Sequence, residues 1–209
     1  MQPEAISHII LMTGEVEAPI LAQILRAYNP ALAVTPVTCS EDLARACAAP
    51  GPGTRLLSFC SSVIVPGDLL AALPGPAYNF HPGPPERPGR YPAVFALYDN
   101  ANAFGVTVQE IHARVDSGPI VAAEWFEMQP AWNLGLLEEQ TLIHLITIFK
   151  RLAPHLANHA APLMRMSISW RGHKTTKAEA DALGMITADM APEEIARRRR
   201  ACGGFIRQA

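Results

Sequence analysis

The sequence has no long apolar run and no marked excess of charge of either sign. No stretch approaches the roughly 20 apolar residues that a membrane-spanning helix needs. The N-terminus has no basic segment followed by a long apolar run, so we expect neither a membrane span nor a signal peptide. The formal net charge of the 209 residues is −2 at pH 7, which argues against an extended nucleic-acid surface.

Cysteine is scarce as well, and the spacing of the four cysteines does not fit a disulfide framework or a zinc site. Cys39, Cys47, Cys60 and Cys202 are far apart in the chain, and no two of them form a C-x-x-C pair. This spacing predicts neither a disulfide framework nor a zinc site. We therefore expect reduced thiols, a cytoplasmic protein and no bound metal.

Short apolar runs alternate with segments of helical spacing, and this alternation predicts an α/β fold. Strands are predicted over residues 6–12, 31–37, 55–60, 77–80, 104–111, 119–126 and 164–170. Helices are predicted over residues 17–28, 40–49 with Ser40 as the N-cap, 67–73, 93–100, 136–157, 178–183 and 192–201. The expected architecture is a Rossmann-like, mainly parallel sheet flanked by helices. Because the composition shifts after residue 160, we predict a domain over residues 1–160 and a short C-terminal appendage over 161–209.

Two polar residues stand at the end of the fourth predicted strand. Asn79 and His81 are two positions apart, so their side chains point to the same face of an extended strand. Pro82, Pro84 and Pro85 then end the strand in a stiff loop. Enzymes of the α/β class present catalytic groups at such strand ends. The alternative interpretation, that both side chains only satisfy loop backbone groups, stays open on spacing alone.

Asp116 adds a carboxylate to this pair. A histidine held by a carboxylate has a fixed tautomer and can move protons near neutral pH, and a primary amide can donate to a developing oxyanion. Asn79, His81 and Asp116 therefore form a competent set for transferring a carbonyl group to an external nucleophile. The chain lacks a G-x-S-x-G elbow, so a covalent acyl-enzyme is not indicated. Asp-Ser-Gly is also a common turn sequence, which leaves a structural role for Asp116 as the alternative.

Four blocks carry a family resemblance through their order and spacing. They are Asn79-Phe80-His81-Pro82, then Gly89 with Pro92, then Gly105-Val106-Thr107-Val108, then Val115-Asp116-Ser117-Gly118-Pro119-Ile120. In this order they resemble the formyltransferase family that uses 10-formyltetrahydrofolate, which includes glycinamide ribonucleotide, methionyl-tRNA and amino-sugar formyltransferases. The resemblance covers residues 56–121. It implies an enzyme that transfers a formyl group from 10-formyltetrahydrofolate, as co-substrate, to an amine of a small-molecule acceptor. It also implies that Asn79, His81 and Asp116 are the catalytic residues.

The resemblance further implies a folate pocket between the loops after the third and fourth strands and the loop that contains Asp116. Its lining would consist largely of backbone groups. The residues expected there are Phe59, Cys60, Ser61, Val63, Val65, Val115 and Gly118. Ordinary loop packing is the alternative for any single one of them.

This sequence also departs from the family pattern. Residues 83–86, Gly-Pro-Pro-Glu, stand where the family has Ser-Leu-Leu-Pro, and Gln109 stands where a second histidine is common. Because glutamine cannot titrate, any proton network that relies on that histidine is altered. The proline-glycine loop resembles the formyltransferase-like part of hydrogenase maturation proteins. Two alternatives therefore stay open: breakdown or hydrolysis of the formyl group, and folate binding without turnover.

Two further segments bear on the acceptor. Residues 13–15, Thr-Gly-Glu, lack the nest of glycine and serine that cradles phosphate, and Glu15 would repel an anion. The run Arg197 to Arg200 fits a solvated helix face, and its functional alternative is an anionic-acceptor site. The chain has no further domain for tRNA after these residues, so a tRNA acceptor is not expected. The apolar late strands and the tail allow a homodimer.

Overall fold

The computed structural model describes residues 5–208. Its strands are β1 His8–Met12, β2 Ala33–Val37, β3 Thr54–Phe59, β4 Tyr78–His81, β5 Ala103–Glu110, β6 Ile120–Glu127, β7 Met185–Ile186 and β8 Arg207–Gln208. Its helices are α1 Glu17–Arg26, α2 Ser40–Ala46, α3 Gly67–Ala72, α4 Pro92–Tyr98, α5 Leu134–Asn158, α6 Lys177–Leu183 and α7 Pro192–Cys202, followed by a 3₁₀ turn at Gly203–Phe205.

The main sheet has six strands in the order β2-β1-β3-β4-β5-β6. β1 pairs in parallel with both β2 and β3, and β3 pairs in parallel with β4. Parallel strands need crossover connections, and helices α1, α2 and α3 lie in the three connections between these strands. The predicted α/β class, with a mainly parallel sheet and flanking helices, is therefore confirmed.

The last two strands of this sheet run in opposite directions. The Glu110 amide donates to the Pro119 carbonyl oxygen at 2.9 Å, and the backbones of Gly105 and Glu124 are in close contact. Residue numbers therefore increase along β5 while the numbers of the paired residues decrease along β6, which makes the two strands antiparallel. The turn between the strands, which holds Asp116, lies at the end of β5 as the sequence predicts.

The chain divides into two compact units, each made of separate segments. The first consists of residues 1–81, 108–122 and 146–168. Its core includes the ends of β1 and β3, with Ile10, Met12 and Leu56 fully buried. Phe149 of α5 packs edge-on against Phe59, with ring centroids 5.9 Å apart, and covers the sheet in this unit. Apolar burial of this kind supplies most of the free energy that holds a helix on a sheet.

The second unit consists of residues 82–107, 123–145 and 169–209. Its core joins α4 to α7, where Ala201 and Cys202 are fully buried beside Leu97 and Phe104. The Thr176 side chain and Glu179 form a capping box that starts α6. Residues after 160 contribute to both units, and the domain boundary at residue 160 stays a prediction.

Most of the arginine run in α7 holds the second unit together. Arg197 lies over the Tyr98 ring at 4.0 Å from its centroid, and its Nε donates to the Tyr98 carbonyl oxygen. Arg198 donates to Glu194 and to three carbonyl oxygens, and Arg200 donates to the Leu97 carbonyl oxygen at 2.7 Å. Of these four, only Arg199 is exposed, and the other three are partly buried, so the expectation of a solvated arginine face is wrong for them.

Two local predictions are also wrong. Residues 164–170 form no strand, although the Met166 amide donates to the Ile120 carbonyl oxygen of the sheet at 2.7 Å. A side chain anchors this segment instead, because Arg165 donates twice to Glu110. Helix α2 begins at Ser40 itself, so Cys39 and not Ser40 is its N-cap residue.

Candidate active site

A pocket lies in the first unit where three parallel strands end. Met12 closes β1, Ser58 stands next to the end of β3, and Asn79 lies in β4; all three line it. The opposite wall comes from the end of β5 and the loop to β6, residues 109 and 111–116. The pocket encloses about 480 Å³, part of it open to solvent. Ligands of open α/β sheets bind at this edge of the strands, so the pocket is the candidate active site.

Asn79 is held in the middle of the sheet by strand pairing. It is the register partner of Ser58 in the parallel β3–β4 ladder, and its side chain is partly exposed to the pocket. Tyr78 and Phe80, on either side of it, are fully buried. This alternation turns the Asn79 amide toward the pocket while its neighbours anchor the strand in the core.

His81 and Asp116 meet in the protein interior beside the pocket. His81 Nδ1 lies 3.8 Å from Asp116 Oδ2, and the two side chains are only 6% and 2% exposed. The structure thus brings Asp116 from the β5–β6 loop to the imidazole, across 35 positions of sequence. Asn79 and Asp116 line the pocket directly, whereas His81 is not among its lining residues and lies behind them.

The loops at this site hold strained backbone. Asp116 has φ of 47° and Cys60, which follows β3, has φ of 51°, so both adopt the left-handed conformation that non-glycine residues avoid. Such strain costs about 1–3 kcal/mol per residue and accumulates at functional sites. Asp is one of the few side chains that tolerates this conformation, which explains how the loop can present a carboxylate there.

Gln109 is a site residue that the sequence does not identify as functional. It is 3% exposed, lines the pocket, and its Nε2 donates to Asp116 Oδ1 at 2.6 Å. Asp116 is therefore shared between an amide donor on one oxygen and the His81 imidazole near the other. The signal that could have revealed Gln109 is its place in the strand where the family often has a second histidine.

The residues expected to line a folate pocket fall into two groups. Ser61, Val63, Val65 and Val115 line the pocket in the structure. Phe59 is fully buried in the core, Cys60 is exposed, and Gly118 is buried against the Glu110 carbonyl oxygen. These three are not among the lining residues. The assignment of all seven residues to folate binding stays a prediction.

The rim of the pocket carries both apolar and charged side chains, since exposed His112 and Arg114 line it beside Ile64 and Val115, and its floor is polar. Ile64 is 53% exposed and Val115 is 39% exposed at the rim, while Asn79, Gln109 and Asp116 lie deeper. The Val63 amide donates to Ser61 Oγ at 3.2 Å, which fixes the loop after β3. A flat, partly apolar molecule with polar edges fits such a lining.

Within residues 5–208, no group of three or more His, Cys, Asp or Glu side chains is placed to hold a metal ion. No helix in that same part of the chain has both the length and the apolarity needed to cross a bilayer.

Comparison with known proteins places the fold. No family model matches the sequence. A sugar N-formyltransferase from Shewanella sp FDAARGOS_354 is similar with a TM-score of 0.75 and 15% identity, over 93% of this chain and 87% of that chain. The N-formyltransferase from Helicobacter canadensis, in complex with folinic acid and dTDP-3-aminofucose, is similar with a TM-score of 0.70 and 15% identity, over 94% and 80%.

HypX from Aquifex aeolicus, in complex with tetrahydrofolic acid, is similar to a lesser degree. Its TM-score is 0.60 at 16% identity, and the match covers 94% of this chain but 34% of that chain. These comparisons confirm, for the fold, the resemblance to the formyltransferases that the sequence blocks indicate.

Proposed function

We propose that this protein transfers a formyl group from 10-formyltetrahydrofolate to the amine of a small molecule. The observation that carries the proposal is that Asn79 and Asp116 line one pocket at the carboxyl edge of the sheet, with His81 buried 3.8 Å from Asp116. An amide donor beside a buried imidazole–carboxylate pair is suited to acyl transfer.

In the proposed reaction a neutral amine attacks the formyl carbon. A bond forms between that carbon and the amine nitrogen, the bond from the carbon to N10 of the folate breaks, and one amine proton ends on N10. Asn79 stabilises the negative charge that develops on the formyl oxygen. His81, oriented by Asp116, assists the movement of the proton, and the tetrahydrofolate and the formylated amine leave.

The partly apolar lining and the loop after β3 support the folate assignment. Ser61, Val63, Val65 and Val115 line the pocket, and a pterin ring would lie against them. Phe59, Cys60 and Gly118 would support these loops from outside the lining. The folate serves as co-substrate, and its formyl group would face the polar floor formed by Asn79 and Asp116.

An amino sugar is the acceptor class that we propose to test first. The similar structures include sugar N-formyltransferases, one of them in complex with dTDP-3-aminofucose. The loop after β1 is an unsuitable place for an acceptor phosphate, because the Glu17 carboxylate packs against Gly14. A phosphorylated acceptor would therefore have to place its phosphates elsewhere.

We further propose a cytoplasmic enzyme of one-carbon metabolism. Cys39, Cys47, Cys60 and Cys202 are all free thiols, which suits a reducing compartment. We also propose the homodimer that the sequence allows. Sedimentation of the purified protein tests it. A single species at the monomer mass of 22.6 kDa would contradict the dimer.

The decisive experiment mixes the purified protein with 10-formyltetrahydrofolate and follows the release of tetrahydrofolate. We expect release that depends on an added amine, with dTDP-3-aminofucose and other amino-sugar nucleotides in the first panel. Equal release without any amine would identify a hydrolase, as in the alternative that resembles the hydrogenase maturation proteins. Folate binding without release would identify a binding protein, and no binding by calorimetry would overturn all three.

A further inference from the structure

Gln109 has a hydrogen-bonding group that the site leaves unused. Its Nε2 donates to Asp116 Oδ1 at 2.6 Å. The donor in this hydrogen bond is the amide nitrogen, so the N–H and not the carbonyl oxygen of Gln109 faces Asp116. The orientation of the amide is thus determined by its neighbour, and Oε1 necessarily points elsewhere.

That oxygen is buried and has no hydrogen-bond partner among the described residues. Buried polar atoms are almost always paired, and an exception in a native protein needs a physical explanation. Gln109 lines the pocket and is only 3% exposed. A ligand hydrogen donor that enters the pocket would supply the missing partner.

We propose that Gln109 is an acceptor-binding residue: Oε1 accepts one hydrogen of the attacking amine while Nε2 holds Asp116 in place. This inference rests on the proposed function. A neutral amine nitrogen has hydrogens and one lone pair, so binding one hydrogen directs the lone pair away from Gln109 and toward the formyl carbon. Because an amide is not a base, Gln109 orients the amine and leaves the proton to other groups.

The amine is the partner that fits this position. Gln109 shares a hydrogen bond with Asp116, which lies beside His81, and it lines the same pocket as Asn79, where nucleophile and formyl carbon would meet. The group that has to enter that place with an N–H is the nucleophile itself. The rim residues Ile64 and Val115, which suit the folate, lie at the exposed mouth of the pocket.

The first test compares Gln109→Met with Gln109→His. Methionine keeps the length of the side chain but cannot donate and accepts only weakly, whereas a histidine ring can donate to Asp116 from one nitrogen and accept from the other. We expect Gln109→Met to lower kcat/KM for dTDP-3-aminofucose about 10- to 100-fold, as the loss of one or two hydrogen bonds implies. The KM for 10-formyltetrahydrofolate should change less than about threefold. Gln109→His should recover most of the activity.

The matched control is Gln23→Met, which makes the same chemical change on the exposed side of α1 and should leave kinetics unchanged. Full activity of Gln109→Met, or equal losses in Gln109→Met and Gln109→His, would overturn the inference. If the wild type releases tetrahydrofolate without needing an amine, the proposed function fails and this inference with it. A wild type that needs the amine, beside a fully active Gln109→Met, would overturn this inference alone.

A second measurement does not depend on turnover. In protein labelled with ¹⁵N-glutamine, the side-chain amide signal of Gln109 is identified by its loss in Gln109→Met. We expect this signal to shift when dTDP-3-aminofucose is added in the presence of folinic acid, since a hydrogen bond to Oε1 polarises the amide. No shift at saturating amine would contradict the contact.

Discussion

At the scale of single residues, the main feature of the pocket is that a neutral hydrogen-bond donor, the Asn79 amide, lies next to a buried imidazole–carboxylate pair. The Asn79 amide faces the pocket, while His81 and Asp116 lie behind or beside it with their side chains 6% and 2% exposed. In the proposed reaction, a donor fixed by strand pairing would need little reorganisation when charge develops on the formyl oxygen.

Replacing Asn79 by alanine should remove that donor. Loss of one oxyanion donor typically raises the barrier by about 2.7–4 kcal/mol, so we expect kcat to fall by roughly two to three orders of magnitude. Folding should change little, because Asn79 is partly exposed. Single-turnover release of tetrahydrofolate measures the effect. Asn102→Ala, at an exposed position, serves as the control, and a fully active Asn79→Ala would refute the role of Asn79.

At the scale of elements, charged side chains donate hydrogen bonds to backbone carbonyl oxygens that helices and strands leave unpaired. Arg55 of β3 is 3% exposed and donates to the carbonyl oxygens of Leu156, Ala160 and Ala161 at the end of α5. Burial lowers the pKa of Arg55 from its ordinary value, and the guanidinium stays charged because that value is so high. Its charge also complements the negative end of the helix dipole.

Arg55→Met should therefore remove this donor from the carbonyl oxygens of Leu156 and Ala160, while that of Ala161 keeps its contact with His155 Nε2 at 2.7 Å. We expect a loss of about 1–3 kcal/mol in the free energy of unfolding, as for other buried acceptors left unsatisfied. Urea unfolding followed by circular dichroism measures it. Arg45→Met is the control, because Arg45 has a 77% exposed side chain and pairs only with Asp42 on the surface. Equal stability of the two variants would contradict this account of Arg55.

The second unit depends on a close backbone approach at Gly89. This glycine has φ of 97° and bridges in parallel to Thr175, where the Arg90 amide donates to the Thr175 carbonyl oxygen at 2.9 Å. A Cβ on Gly89 would lie 2.6 Å from the Thr175 nitrogen and nearer still to its carbonyl oxygen. Only glycine can both adopt this conformation and admit the neighbouring chain.

Gly89→Ala should consequently destabilise the protein. The left-handed backbone alone costs about 1–2 kcal/mol with a side chain, and the contact with Thr175 adds to it. Gly204→Ala is the control in the same unit, since a Cβ there meets nothing within 4 Å. Thermal unfolding of the two variants separates the outcomes, and an unchanged midpoint for Gly89→Ala would refute the close approach.

At the scale of the whole molecule, the pocket predicts how ligand affects stability. A ligand that binds only the folded protein stabilises it by about 2.7 kcal/mol at 100 times its Kd. For a chain of 209 residues this corresponds to a rise of roughly 5–10 °C in the unfolding midpoint. We expect folinic acid to produce this rise. p-Aminobenzoylglutamate, which lacks the pterin, should give much less, and equal effects of the two would contradict pterin binding.

Much of the fold and part of the site could be predicted from local pattern. The apolar run that becomes β1 and the helical spacing of α1 place both elements within two residues of their observed ends. The period of an element is a property of neighbouring residues, so it can be read without knowing the fold. The prediction of a strand over residues 164–170 was wrong because the hydrogen bond from Arg165 to Glu110 fixes this segment. That contact spans 55 positions of sequence, which no local pattern records.

The sequence by itself determined that Asn79 and His81 share one face of a strand, that prolines stop the strand after them, and that the sheet is mainly parallel. Only the tertiary structure decided which groups meet there: Asp116 beside His81, and Gln109 bound to Asp116 with its carbonyl oxygen unpaired. The tertiary structure also showed that Arg197, Arg198 and Arg200 of α7, which the sequence predicts on a solvated face, donate hydrogen bonds to backbone carbonyl oxygens. The physical reason is that hydrogen-bond partners distant in sequence are chosen by packing, which no local period records.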